Sequence, residues 1–325
     1  MPFRLQRKKR KTVSNARDEN LSSAVSWAIE RSAFEDFKVE SIETILLVHP
    51  PAQSKIDFIP TENKLILSPF ASEIVQESPS VQRITTWPEQ LAGRYGIFVF
   101  FGENKEEARS ILSSIASMEN KPIFVIGVAS NDLGSSHILK IFSEYFDHPK
   151  SISKHHCRVF LGESISEPLD QSLLFSRYGA PEKIELHDLF TAPGIFSRSA
   201  PDIGSQLFVN AIDDLPTGPG LDIGAGYGYL VWGLLKKGVS ISDVTLVEHD
   251  IRALECAKLN LSSFSQTTKL NYIWEDLNKL KMDSSFSWCL LNPLFHFRGD
   301  EDRELGISDF RAENRFIKVG GKLFV

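Results

Sequence analysis

The stretch Leu221–Gly228, reading LDIGAGYG, constrains this chain more than any other part of it. An acidic residue, Asp222, lies at the end of a short apolar run and precedes glycines at alternate positions, Gly224, Gly226 and Gly228. A run with helical character, YGYLVWGLLKKG (227–238), comes directly after. Strand, glycine turn and helix in that order bring bare backbone close to a nucleotide-like ligand. The spacing is GxGxG with an acid two residues ahead, which is not the dinucleotide fingerprint. A carboxylate at Asp222 repels a pyrophosphate and attracts an amino group. The chemistry therefore points away from NAD and toward S-adenosylmethionine, whose methionyl end carries an ammonium.

Three further runs end where such a site needs polar groups. VTLVE (244–248) reads as a second strand ending in Glu248, 20 residues after Gly228 and placed to accept hydrogen bonds from ribose hydroxyls. LNYIWED (270–276) ends in Asp276, placed to meet the adenine amine. FSWCLLNPLFH (286–296) ends in Asn292-Pro293-Leu294-Phe295. A GxGxG or an Asn-Pro on its own is only a turn. Four strand ends delivering polar groups to one edge describe the crevice in which open α/β sheets bind ligands.

Length and composition set the outer limits. At 325 residues the chain has room for two domains, and 42% hydrophobic with 24% charged residues is ordinary for a globular protein. No apolar run is long enough to span a bilayer, and the basic N-terminus lacks the apolar segment of a secretory signal. Cys157, Cys256 and Cys289 are scattered without metal-ligand spacing, so no metal site is expected and a reducing cytoplasm fits. With a net charge of −6, any nucleic-acid contact must come from local basic patches.

In chain order, residues 1–20 carry RLQRKKRK (4–11) and read as a basic, disordered tail able to touch RNA phosphates. Residues 21–162 alternate helix-like and buried strand-like runs, an α/β domain without an acid-plus-glycine loop, suited to scaffolding or substrate docking. Residues 163–190 are a connection punctuated by proline and glycine, and 191–325 form the cofactor domain. Asp202 ahead of IGSQLFVNAI marks a capped helix start, and the loop before it holds Phe196, Ser197 and Arg198. Two readings of that loop stay open: Phe196 in the core with Arg198 as a surface charge, or a loop that closes over cofactor or target base. LGISDFRAENRFIKVGG (305–321) reads as a helix stopped by Gly320-Gly321, with a fifth strand starting at KLFV (322–325).

Asn-Pro-x-Phe suits methylation of an exocyclic amine. Such an amine is a poor nucleophile because its lone pair is delocalised into the ring. The Asn292 side-chain oxygen and the Pro293 carbonyl can each accept one N–H and turn that lone pair toward the methyl group, with Asn292 also bordering the cofactor. Phe295 can stack on a base flipped from its helix. His296 is a candidate for substrate contact. Cys289, inside an apolar run, should point into the sheet, which disfavours attack on a pyrimidine carbon.

PGIFSRSAPDIGSQLF (193–208), LDIGAGYG, Glu248 and NPLFH (292–296) together resemble the ribosomal RNA guanine-N2 methyltransferases, in particular their small-subunit members. The likeness is fainter in the first domain, at WPEQ (87–90), FVIG (124–127) and RVFLG (158–162). It implies two Rossmann-like α/β domains: a degenerate N-terminal one without cofactor, and a C-terminal class I S-adenosylmethionine domain. It also implies N2-methylation of a guanine in small-subunit (16S) ribosomal RNA, in an assembled subunit, with Asn292, Pro293 and Phe295 around the target amine. Two departures stand out. Leu294 replaces a second proline, and the chain ends at Val325 where the family adds a hairpin, so the sheet is expected to stop, truncated, after its fifth strand. Alternatives are a large-subunit guanine enzyme, a protein glutamine methyltransferase, and a non-catalytic RNA-binding relative.

Overall fold

The computed structural model describes residues 3–30, 34, 42–51, 59, 61, 63–71, 80–166, 174–184, 187–277, 279–283, 285–292, 296–297, 300–301 and 316–325. They divide into two compact units, one of Met1–Ser68 with Glu73–Tyr178, the other of Pro69–Ser72 with Gly179–Val325.

Unit one is built on seven strands, β1 (Thr44–Val48), β2 (Asn63–Leu67), β3 (Val81–Ile84), β4 (Tyr95–Phe101), β5 (Phe124–Ser130), β6 (Lys150–Lys154) and β7 (Cys157–Gly162). Their order is β3-β2-β1-β4-β5-β7-β6, parallel through β5 and antiparallel where β7 joins β5 and β6. Strand β4 is buried along its whole length, as a central parallel strand with both faces covered must be. In β1 the period-two alternation sends Leu46 and Val48 to one core and Ile45 and Leu47 to the other. Helices α2 (Lys105–Ala116) and α3 (Ser135–Phe142) close the first core through Ile111, Leu112, Ile115, Ile138 and Phe142. Helix α1 (Phe3–Glu30) closes the second with Leu21, Ala24, Val25 and Ala28, spaced as one helical face.

Helix α1 corrects the expectation of a disordered tail over 1–20. Residues 3–30 contain neither glycine nor proline, and their Lys, Arg, Glu, Ala and Leu residues favour helix, so the helix runs through the basic stretch.

Unit two begins with a hairpin of β8 (Glu182–Ile184) and β9 (Leu189–Thr191), followed by α4 (Ile203–Ala211). Then β10 (Gly220–Ile223), α5 (Tyr229–Lys237), β11 (Asp243–Glu248), α6 (Ile251–Leu261), β12 (Lys269–Trp274) and β13 (Phe286–Leu291) alternate. A two-residue pair, β14 (His296–Phe297) and β15 (Asp300–Glu301), precedes β16 (Ile317–Phe324). The main sheet runs β12-β11-β10-β13-β16, all parallel, the same order as the first five strands of unit one. One face packs on Val231, Leu234, Leu254, Ala257 and Leu261 of α5 and α6, the other on Leu280 and Phe316.

The helix expected over 305–321 is corrected where it can be seen. Residues 305–315 lie outside the described residues, and Ile317–Gly321 are strand, so the fifth strand starts five residues before Lys322. Gly320 sits at φ +82°, and the pairing of β16 with β13 shifts register between Phe286 and Trp288. A Cβ on Gly321 would lie 3.0 Å from the Ser287 carbonyl oxygen. The two glycines serve a bulged strand, not a helix stop.

Candidate active site

The glycine loop follows β10 directly. Gly224, Gly226 and Gly228 all have positive φ, at 66°, 55° and 79°, which side chains resist and glycine adopts freely. Their surroundings differ. A Cβ on Gly224 or Gly226 would meet nothing within 4 Å, whereas one on Gly228 would press on Ala257 of α6 at 3.1 Å. The first two glycines face open space, and the third allows close packing against α6. Backbone bonds from Gly224 and Ala225 to the Val247 carbonyl, at 3.0 and 3.1 Å, tie the loop to β11.

Asp222 lies between Leu246 of β11 and Leu290 of β13 in register. It is 0% exposed, and neither carboxylate oxygen has a hydrogen-bond partner among the described residues. Burial, reinforced by the nearby negative charge of Glu248, pushes its carboxyl up to about 8. A buried carboxylate without a donor is costly, and a ligand ammonium is the kind of partner it lacks. Together with the open space at Gly224 and Gly226, this orphaned carboxylate fits the methionyl end of S-adenosylmethionine.

Glu248 stands at the tip of β11, buried and fully engaged on one oxygen. Oε1 accepts the N–H groups of His249 and Asp250 at 2.8 and 3.0 Å and meets His249 Nδ1 at 2.8 Å. Oε2 accepts only the Gly226 N–H, at 2.8 Å, which leaves acceptor capacity for a hydroxyl. Burial would raise the Glu248 carboxyl, but His249 and the N–H donors of Asp250 and Gly226 outweigh it and hold it below its ordinary value. His249 mirrors this: burial lowers it, yet Glu248, Asp250 and Asp276 hold it above its ordinary value. The Glu275 N–H donates to the Glu248 carbonyl at 3.2 Å, which brings Asp276, two residues past the end of β12, next to the same tip.

A piece from early in the chain completes this edge of unit two. The Pro69 carbonyl accepts the Ile251 N–H at 3.0 Å and Trp274 Nε1 at 3.1 Å, and the Ala71 N–H donates to the His249 carbonyl at 2.8 Å. The Phe70 ring stacks on His249 at 5.4 Å, with the Arg252 guanidinium 5.5 Å from its centroid. Arg252 is itself paired with Asp250, the N-cap of α6, at 2.7 Å.

Asn292 follows β13. Its Nδ2 donates to Ser205 Oγ at 2.7 Å and to Asp202 Oδ2 at 3.3 Å. Asp202 is the N-cap of α4, as its sequence position predicted, and its Oδ2 also accepts the Ser205 N–H at 2.9 Å. Burial, Tyr229 and then Asp202 push the Tyr227 phenol up. The loop ahead of α4 settles half of its open question. Phe196 is 50% exposed and not core, with Ile203 and Leu207 of α4 at 73% and 64%. Arg198 is ion-paired with Glu182 of β8 instead of standing as a free surface charge, and Ser197 has φ +53°.

Asp222, the three glycines, Glu248, Asp276, Asp202 and Asn292 thus gather at the carboxyl edge of one sheet. Pro293, Leu294 and Phe295 lie outside the described residues, and of His296 only the strand backbone is described. Ser205, His249 and the Pro69–Ala71 strap were missed. Ser205 carried a signal, three residues after a cap; the strap carried none, since 179 residues separate Phe70 from its neighbour His249. Cys289 is fully buried in the sheet, as expected. Among the described residues unit one has no counterpart to the cradle. Strand β1, which holds the place of β10 in the shared strand order, is followed by His49-Pro50-Pro51, with the His49 ring bonded to the Tyr178 hydroxyl.

Residues 187–325 match the family described as Methyltransferase small domain. The chain is 27% identical over 231 residues to the ribosomal RNA small subunit methyltransferase C of Photorhabdus laumondii, a match covering 70% of this chain and 65% of that protein. The protein of the same name from Pseudomonas paraeruginosa is 30% identical over 168 residues, 51% of this chain and 50% of its own length. The chain spans less than two thirds of the length of these curated relatives. A solved T. thermophilus 16S rRNA N2 methyltransferase, in complex with AdoMet and guanosine, superposes with a TM-score of 0.60 at 19% identity, covering 91% of this chain and 81% of that one. That likeness is one of fold, and it spans both α/β units. Residues 187–325 thus match the methyltransferase small domain family, and the chain is similar to the ribosomal RNA small subunit methyltransferase C proteins.

Proposed function

We propose that the chain transfers a methyl group from S-adenosylmethionine to the exocyclic N2 amine of a guanine in small-subunit ribosomal RNA, presented in an assembled subunit. The observation that carries the reading is the Asn292 carboxamide, which has both N–H donors turned into the protein and an oxygen to which no donor among the described residues is bonded. When bound, S-adenosylmethionine supplies a methyl group on a sulfonium, already a strong electrophile. The work left to the chain is positioning. Asp222 pairs with the cofactor's ammonium, Glu248 Oε2 accepts from a ribose hydroxyl, and Asp276 meets the adenine amine. Asn292 Oδ1 accepts one N–H of the target amine, and Pro293 and Phe295 take the roles that their sequence positions assign: carbonyl acceptor and stacking ring. As the new C–N bond forms and the C–S bond breaks, the amine proton passes to water.

The fit to a base is supported by Phe196, Ile203 and Leu207, which expose apolar surface on the segment that holds Asn292. The likeness to small-subunit methyltransferase C proteins favours the small subunit over the large one. Asn292→Ala removes the acceptor without touching Asp222 or Glu248. Transfer to small subunits should fall about 10²–10³-fold, the usual cost of losing one aimed polar group. Calorimetric affinity for S-adenosylhomocysteine should stay within about twofold, below 0.5 kcal/mol. Undiminished transfer by Asn292→Ala would remove Asn292 from the reaction.

A further inference from the structure

A carboxamide can be turned over at little cost, and the two orientations of Asn292 do opposite things to an incoming amine. With Oδ1 outward it accepts an N–H; with Nδ2 outward it repels the amine. Something must choose, and α4 carries two groups positioned to do so. The carboxylate of Asp202 is an acceptor only, so it takes Nδ2 and rejects Oδ1. The Ser205 hydroxyl accepts the second Nδ2 hydrogen at 2.7 Å.

Both groups are fixed before Asn292 arrives. Asp202 is the N-cap and bonds the Ser205 N–H at 2.9 Å, and Ser205 lies on the first turn of the helix. Between them Gly204 keeps the space clear: a Cβ there would come within 2.9 Å of Asp202 Oδ2 and 3.9 Å of Asn292 Oδ1. We infer that Asp202 and Ser205 are positioning residues that lock the Asn292 carboxamide with its oxygen toward the substrate amine, and that Gly204 is glycine to leave that lock undisturbed. The inference rests on the reading of Asn292 as the acceptor for the target amine, but the lock itself is a property of the free protein.

Two measurements keep the lock and the reaction apart. In the ligand-free protein labelled with 15N-asparagine, the Asn292 side-chain amide is assigned by its absence from Asn292→Ala. Its hydrogens should exchange at least about tenfold more slowly than those of a free carboxamide, as expected for hydrogens held in two bonds. Ser205→Ala should abolish that protection. Unprotected Asn292 hydrogens in the wild-type chain would overturn the lock whatever the activity.

In methyl transfer, Ser205→Ala should lower kcat about tenfold, the size of one lost hydrogen bond. KM for the RNA and affinity for S-adenosylhomocysteine should not move. Ser205→Thr, which keeps the hydroxyl, should restore kcat. Gly204→Ala gives the sharpest contrast. A Cβ there would lie 2.9 Å from Asp202 Oδ2, so by crowding that carboxylate it should lower kcat while affinity for S-adenosylhomocysteine stays unchanged, a split that general loss of folding does not produce. Full kcat in both Ser205→Ala and Gly204→Ala would overturn the proposal. Protected hydrogens in a wild-type chain that transfers no methyl would leave the lock standing and sink the reading of the reaction.

Discussion

A carboxylate sealed between Leu246 and Leu290 without one donor among the described residues destabilises the protein that contains it, and Asp222 does so in a predictable pH window. Its folded value, about 8, lies above its ordinary value of 3.8. The folded state therefore binds the proton more tightly, and the stability this confers is fully present below the unfolded value and lost as pH rises toward 8. Urea unfolding of the ligand-free protein should show stability falling between pH 5 and 9 more steeply than in Asp222→Asn. Identical slopes would contradict the assignment. The Asp222→Asn protein should be more stable at pH 9, by about 1–3 kcal/mol, the usual cost of an unsatisfied buried group. Its affinity for S-adenosylhomocysteine should fall at least about tenfold, a loss of 1.4 kcal/mol or more. Asp222, Glu248 and Asn292 were legible in the sequence because each ends an apolar run at the carboxyl edge of a sheet. Ser205 and His249 were not, because a serine inside a helix or a histidine after a strand acquires meaning only from what folds beside it.

At the scale of the element, the glycine loop divides its labour, and the division can be measured. Gly226→Ala puts a methyl group into open space at φ +55°. It should cost about 1–2 kcal/mol of stability through backbone strain and lower cofactor affinity by occupying the cradle. Gly228→Ala adds the same strain at φ +79° plus a contact with Ala257 at 3.1 Å. Its loss should appear mainly in unfolding, exceeding that of Gly226→Ala by about 1–3 kcal/mol for overpacking. Equal stability losses in the two would contradict this division. The central strands and the helices between them could be read from the sequence because β4 and β5 are unbroken apolar runs and α6 is amphipathic with a capping Asp250. Strands β3 (VQRI) and β6 (KSISK) escaped because they lie at sheet edges, where half or more of the residues face solvent and no apolar pattern is required. The β8–β9 hairpin is three residues a side, too short for any periodicity to show. Helix α1 was missed in its first half because a basic run looks like a solvated tail until a helix is seen to pass through it.

At the scale of the whole molecule, two sheets share one strand order through five strands, but among the described residues only unit two has an acid, a glycine cradle and a second acid at adjoining strand tips. Unit one has His49 and two prolines after strand β1. Hydrogen exchange with saturating S-adenosylhomocysteine should therefore slow at the tips of β10 and β11 and leave β1 and β4 unchanged. Protection appearing at β1 would mean that unit one also binds the cofactor. Among the described residues no helix is long and apolar enough to cross a membrane. Under the proposed function, unit two places a guanine amine of the small subunit against a methyl donor. The direct measurement is transfer of labelled methyl from S-adenosylmethionine to small and large ribosomal subunits lacking guanine-N2 methylation, followed by nucleoside analysis. Label in N2-methylguanosine from the small subunit alone is the predicted result; label in any other nucleoside, or in the large subunit, or none in either, would contradict it.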